Sequence, residues 1–265
     1  MHFTSLRFPF NLGDIMTHIS VNRKNFLEYL SYFSKSASDL RLDCTTSRIT
    51  GEIAFAQYFL RKQFNGAEVK EEGVLHIVFL EKVIAFLKAS KQSTVEIRQV
   101  SVTKPIHVES GGNKIQLPSS DDIISASKVP VVKRMLDKSL KNNWTSFAED
   151  ELTVHASIET KDLISLSSMK SLVSDNAEYK LRIHCGEKEF GIVAGKAISG
   201  RLFTTIPADD CDGPNTTISS NFGKWLPTCF MYLDDARARI HIGQDTVVIF
   251  EQNNTLLMII NESDF

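Results

Sequence analysis

The 265-residue sequence has no stretch approaching the ~20 consecutive apolar residues that a membrane-spanning helix requires. No contact with a membrane is therefore expected. Neither sign of charge is in excess: 30 Lys+Arg meet 32 Asp+Glu for a net charge of −2. Bulk attraction to nucleic acid is excluded, and any such contact must come from cations gathered on one surface. The four cysteines, Cys44, Cys185, Cys211 and Cys229, form no C-x-x-C pair. That spacing predicts reduced structural thiols, with metal binding as the alternative. Only 13 Gly and 7 Pro are present, against 42% hydrophobic residues. Disordered and collagen-like classes drop out, and the length admits one large domain or two of roughly 100–150 residues. The opening MHFTSLRFPFNLGDIM lacks a continuous apolar block and a small-residue cleavage site, so no secretory signal is expected. Residues 1–15 read as an appended or alternative start before Met16, and the default compartment is the cytosol.

Catalytic signatures are missing too. FGKW (222–225) has Gly-Lys but lacks the upstream glycine and the Ser/Thr of a phosphate-binding loop. There is no G-x-S-x-G elbow and no H-E-x-x-H pair. His76, His107, His155, His184 and His241 each sit in a strand-like run, where a satisfied or exposed histidine is far commoner than a metal ligand. Asp209, Asp210 and Asp212 form one acidic turn and Asp234-Asp235 another, both reading as solvated loops. Nothing nominates a nucleophile or a general base, so no catalytic residue, metal or cofactor is expected. The enzymatic alternative is a β-rich hydrolase assembling His184, His241 and Asp residues distant in sequence.

What the chain does have is strands. β-rich runs occur at 39–44, 48–60, 73–79, 94–100, 104–110 and 113–119, and again at 151–157, 178–185, 189–195, 201–207, 236–243, 245–252 and 255–262. Short runs separated by Gly, Asn and Asp turns predict antiparallel sheet, hence an α+β fold. Four helices interrupt them. NRKNFLEYLSYFSK (22–35) has Asn22 as cap and Phe26, Leu30 and Phe33 on one face. LEKVIAFLKASK (80–91) places Leu80, Val83, Ile84 and Leu87 at i, i+3, i+4, i+7, with Lys82 opposite and Lys88 on the flank. A third helix starts at Thr160 as cap and runs through Leu163, Leu166 and Met169 to Leu172. A fourth, 221–230, carries Phe222, Trp225, Leu226 and Phe230, shortened or bent by Pro227.

The two halves repeat one order: strand, helix, a run of strands, helix, three closing strands. The helix-to-helix offset is about 58 residues in one half and about 61 in the other, by the spacing of the two helical periodicities. Residues 16–118 and 151–265 thus read as two similar domains. Residues 119–150, with an apolar knot at Val129, Pro130, Val131 and Val132, form a connector with a short helix around 131–140. Lysines opposite an apolar helical stripe are ordinarily plain solvated charges. If all four helices share one side of the sheets, however, Arg23, Lys24, Lys35, Lys82, Lys88, Lys91, Lys161, Lys170 and Lys224 gather into one cationic face suited to sequence-independent phosphate contact.

This element order, with LEKVIAFLKASKQSTVEIRQ (80–99), ELTVHASIETKDLISLSSMKSL (151–172), EYKLRIHCGEKEFGIVAGK (178–196) and the closing segment 221–263, resembles the proliferating cell nuclear antigen family of replicative sliding clamps. Clamps of tailed phages share that fold with similarly eroded sequences. The resemblance implies two clamp domains per chain, each with antiparallel sheets and two helices on the inner face. It further implies a homotrimeric ring of six domains around duplex DNA, acting as a non-enzymatic processivity factor. The implied partners are a DNA polymerase and an ATP-dependent clamp loader, in the cytoplasm of a host cell if viral or the nucleus if eukaryotic. A platform or hetero-oligomeric ring subunit that does not itself encircle DNA is the alternative. The family's peptide pocket maps onto Val129, Val131, Val132, Tyr232, Leu233, Ile259 and Ile260, side chains that ordinary core packing explains equally well. The chain ends in NESDF where the cellular family has an Ala-Pro pair.

Overall fold

A computed structural model describes residues 16–55, 57–119, 124–148, 150–169, 178–196, 200–222, 225–243 and 247–260. Residues 1–15, read above as an alternative start, lie outside that set. In chain order the elements are β1 (Thr17–Asn22), α1 (Arg23–Phe33), β2 (Asp39–Thr45), β3 (Arg48–Ala54), β4 (Tyr58–Phe64), β5 (Ala67–Glu71) and β6 (Gly73–Val78). There follow α2 (Leu80–Ala89), β7 (Thr94–Gln99), β8 (Ile106–Ser110), β9 (Asn113–Leu117), α3 (Ile124–Lys141), β10 (Ser146–Phe147) and β11 (Asp150–Glu159). The rest are α4 (Lys161–Met169), β12 (Tyr179–His184), β13 (Glu189–Lys196), β14 (Gly200–Asp212), β15 (Thr216–Phe222), α5 (Leu226–Cys229), a 3-10 turn (Phe230–Tyr232), β16 (Arg237–Gly243), β17 (Val247–Glu251) and β18 (Thr255–Ile260). This is the α+β fold the patterning predicts.

The chain divides into two compact units, Met1–Ile49 with Phe64–Asp121 and Thr50–Gln63 with Asp122–Phe265. The boundary runs through the β3–β4 hairpin, so residues 50–63 and nearly all of the expected connector belong to the second unit. The apolar run 48–60 is not one strand. It breaks at residues 55–57 into β3 and β4, where the Phe55 N–H donates to the Tyr58 carbonyl across the turn (2.8 Å).

In the first unit β5-β1-β7-β8-β9 form an antiparallel sheet and β2 pairs with β6. Helix α1 begins because the Asn22 side chain accepts from the Asn25 N–H (3.2 Å), satisfying one orphan donor of the first turn. Its buried face, Phe26, Tyr29, Leu30 and Phe33, meets Phe64, with ring centroids 5.5 Å (Phe26) and 5.0 Å (Tyr29) away. Helix α2 buries the four residues its period nominates, Leu80, Val83, Ile84 and Leu87.

In the second unit the strand order is β15-β12-β13-β14-β11-β16-β17-β18-β4. Its core gathers Phe59, Val129, Leu136, Trp144, Phe147, Ile249, Met258 and Ile260. The expected connector is therefore no loose linker. Its helix α3 is 18 residues long, well beyond the short helix expected, and two of its side chains are core. One expectation fails outright: Cys185 and Cys211 form a disulfide, while Cys44 and Cys229 are free and buried. Cys185 lies in the turn after β12 and Cys211 in the part of β14 beyond its pairing with β13, and their Cα atoms are 5.2 Å apart.

Candidate nucleic-acid interface

In the first unit α1 packs on α2, and the exposed backs of these helices and their ends carry Lys24, Lys35, Lys82, Lys88 and Lys91. Two of these cations rest on aromatic rings. Lys82 Nζ lies 4.4 Å from the Phe79 ring centroid and Lys35 Nζ 5.6 Å from that of Tyr32. Phe79 itself opens α2 in the left-handed region (φ 63°), strained for a bulky residue, and presents its ring to solvent. Arg23 is differently employed. Its guanidinium donates to the carbonyls of Leu87 (3.1 Å) and Gln92 (2.9 Å), and its N–H to Ser93 O (2.7 Å). It thereby caps the C-terminus of α2, where carbonyls lack helical partners and a cation meets the negative end of the dipole. Arg23 is a structural tie between the two helices, while the lysines carry the exposed charge.

In the second unit α4 packs on α5 and on the 3-10 turn, so helical elements are in contact in each unit. Lys161 is exposed at the first position of α4. Thr160 is fully buried, and its hydroxyl points away from the helix it was expected to cap. It reaches the carbonyls of Asp234 (2.5 Å) and Ala236 (2.8 Å), tying α4 to the segment before β16. The third helix ends its described length at Met169, which is exposed rather than core, and Leu172 and Lys170 lie outside the described residues. The fourth helix is not 221–230. Residues up to Phe222 belong to β15, and the helix is the four residues Leu226–Cys229 with Pro227 in its first turn, where proline removes no helical hydrogen bond. Lys224 lies outside the described residues.

The seven residues mapped to a peptide pocket divide unevenly. Val129, Tyr232, Leu233, Ile259 and Ile260 are all buried; Val132 packs at the edge of the core, and only Val131, 50% exposed, faces solvent. Core packing accounts for the buried five. Tyr232 stacks with Tyr58 (6.0 Å), which stacks in turn with the half-buried Trp225 (6.4 Å). Among the described residues no three His, Cys, Asp or Glu side chains converge on a metal-holding geometry. His241 is fully buried and engaged with His155 and Glu251. No helix among the described residues is long and apolar enough to cross a membrane.

Helical elements in contact with one another and packed with antiparallel strands, repeated along one chain, are the architecture of the DNA-clamp fold. No family model and no curated protein sequence matches the chain. Solved structures do. The beta clamp of Helicobacter pylori bound to a DNA ligase peptide superposes with a TM-score of 0.68 at 12% identity, over 94% of this chain and 66% of that one. The DNA polymerase sliding clamp of Bacillus subtilis gives 0.68 at 13% identity over 92% and 64%. The DNA polymerase III beta subunit of Thermotoga maritima gives 0.69 at 12% over 98% and 68%. The chain has the sliding-clamp fold, and it spans about two thirds of the length of these clamps.

Proposed function

We propose that the chain is a sliding-clamp subunit, a non-enzymatic DNA polymerase processivity factor whose copies close into a ring around duplex DNA. The observation that carries this reading is the repeated pair of helical elements with exposed lysines: Lys24, Lys82, Lys88 and Lys91 in one unit and Lys161 in the other. Point charges on helices meet a regular phosphate backbone without fixing a register, so the ring slides. Retention comes from topology, and a chain of net charge −2 can tether DNA without gripping it.

Sheet edges supply a means of closure. β18, the closing strand of the second half, pairs antiparallel with β4, the fourth strand of the first half. The corresponding strands are β9 and residues 200–207 of β14, and each has one side without a strand partner among the described residues. In the proposed ring, β9 of one copy lies against residues 200–207 of the next, satisfying exposed backbone donors and acceptors. Three two-module copies would make a six-module homotrimer, loaded by a separate ATP-dependent loader and holding the polymerase on its template.

The alternative, a platform that never encloses DNA, is separated by experiment. Light scattering of a trimer reads three times the 29.8 kDa chain mass. Protein loaded on circular DNA slides off once the circle is cut, whereas a simple binder stays. A monomer whose retention is indifferent to cutting overturns the reading.

A further inference from the structure

A second charged surface lies on the solvent face of β12, β13 and β14. The register sets Lys180 opposite Val193 and Val193 opposite Phe203, then Arg182 opposite Gly191 and Gly191 opposite Thr205, with Gly195 opposite Arg201. Alternation buries Tyr179, Leu181, Ile183, Phe190, Ile192 and Ala194 on the other face. The outer face is a trough. Its floor is β13, low because Gly191 and Gly195 carry no side chain. One wall is Lys180 and Arg182, the other Arg201 and Phe203. The cavity is about 330 Å³, at the small end of ligand pockets.

Three features select its occupant. Lys180, Arg182 and Arg201 are exposed and make no ion pair among the described residues, unlike Arg237 or Lys114 elsewhere on the surface. Phe203 is 62% exposed, the most exposed large hydrophobic side chain among the described residues. The walls are two strand spacings apart, about 10 Å, too narrow for a duplex but wide enough for a base and its backbone. Cations along a groove beside an exposed ring are the elements of sequence-tolerant single-strand binding, in which the ring stacks a base and the cations follow the phosphates. Glu187 and Glu189 close one end with negative charge, so the strand leaves by the other.

We propose that this sheet face binds single-stranded nucleic acid, with Phe203 stacking a base and Lys180, Arg182 and Arg201 contacting phosphates. The site uses none of the lysines on the helices and does not require the ring. The test is fluorescence anisotropy with a labelled oligo(dT) on the full chain. Affinity should fall with salt, with a log–log slope of about −2 for three phosphate contacts. Phe203→Ala should weaken binding about tenfold and Phe203→Trp should restore it. Joint Lys180→Glu, Arg182→Glu and Arg201→Glu should abolish binding. Melting curves confirm that each variant folds. Three results overturn the proposal: no oligo(dT) binding at low salt, equal competition by poly-glutamate with no effect of Phe203→Ala, or loss of self-association in Phe203→Ala without loss of oligo(dT) binding. The last assigns Phe203 to a second copy of the chain, because it lies on the strand given to ring closure.

Discussion

His155 Nδ1 lies 2.9 Å from His241 Nδ1, the two rings projecting from directly opposed positions on β11 and β16. His241 Nε2 is 3.3 Å from a Glu251 carboxylate oxygen that also accepts from Trp144 Nε1–H (3.0 Å). The proton order follows. His241 donates from Nε2 to Glu251, its Nδ1 is then an acceptor, and His155 donates to it from Nδ1. One added proton is accommodated at His155 Nε2 without disturbing the bond to His241, but two would set N–H against N–H. Burial pushes both histidines below the ordinary imidazole range, reinforced at His155 by the His241 charge and opposed at His241 by Glu251. Glu251 is held below the usual carboxylate range by its bond from His241.

The sign of the pH dependence is fixed by those directions. An unfolded chain binds protons at ordinary histidine pKa values while the folded pair resists them, so stability falls as pH drops through about 6.5. The Glu251 contribution disappears at lower pH still. Melting temperature should decline steadily from pH 7.5 to pH 5, and His155→Asn should flatten the upper part of that decline. A flat profile across this window removes the proton order given above.

Arg23 and Lys24 are neighbours with opposite fates, which separates structure from binding. Arg23→Ala removes two charge-assisted bonds to the end of α2 and should cost about 1.5–3 kcal/mol in urea unfolding. Lys24→Ala should change stability by less than about 0.5 kcal/mol. In loader-dependent primer extension on circular DNA, joint Lys24→Glu, Lys82→Glu and Lys88→Glu should abolish synthesis with the fold intact. Undiminished synthesis removes these lysines from the DNA face.

The disulfide makes a countable prediction. Denatured without reductant, the protein should show two reactive thiols, Cys44 and Cys229, rather than four. In the folded state both are inert, since burial drives the Cys44 thiol up to about 12 and Cys229 higher still. Reduction reopens a loop of 26 residues and should destabilise the chain by about 3 kcal/mol in the chain-entropy account. Four thiols in the unreduced protein would contradict the pairing.

Where a local period decides structure, it was legible. The Leu80, Val83, Ile84, Leu87 stripe and the Asn22 cap are in place because both depend only on near neighbours. What depends on register was not legible. His155 and His241 are 86 positions apart, and only the β11–β16 pairing makes them opposite. The disulfide likewise has no motif: its cysteines are 26 positions apart and meet only beyond the end of β13. β5, AEVKE, has no buried residue and offers no apolar alternation to find. The trough escaped notice because Lys180, Arg182, Arg201 and Phe203 come from two strands and look individually like ordinary surface residues. Tyr232 and Ile259, which the resemblance maps to a peptide pocket, are buried, the placement that their apolar character alone would give them.

Ring closure through β9 can be tested at single-residue resolution. β9 pairs with β8 on one side only, and in an antiparallel ladder successive N–H groups alternate sides. Of the adjacent Lys114 and Ile115, one N–H therefore points to β8 and the other outward, to the neighbouring copy in the proposed ring. Proline removes that donor and is tolerated where it faces an open edge. Of Lys114→Pro and Ile115→Pro, one should lower the melting temperature by breaking the β8 ladder. The other should keep it and reduce the mass in solution from three times 29.8 kDa to one chain. The Lys114–Glu109 ion pair (2.7 Å) is half-exposed and worth at most about 1 kcal/mol, too little to confuse the two outcomes. If the variant that keeps its melting temperature also keeps its parent's mass, β9 is not the closing edge.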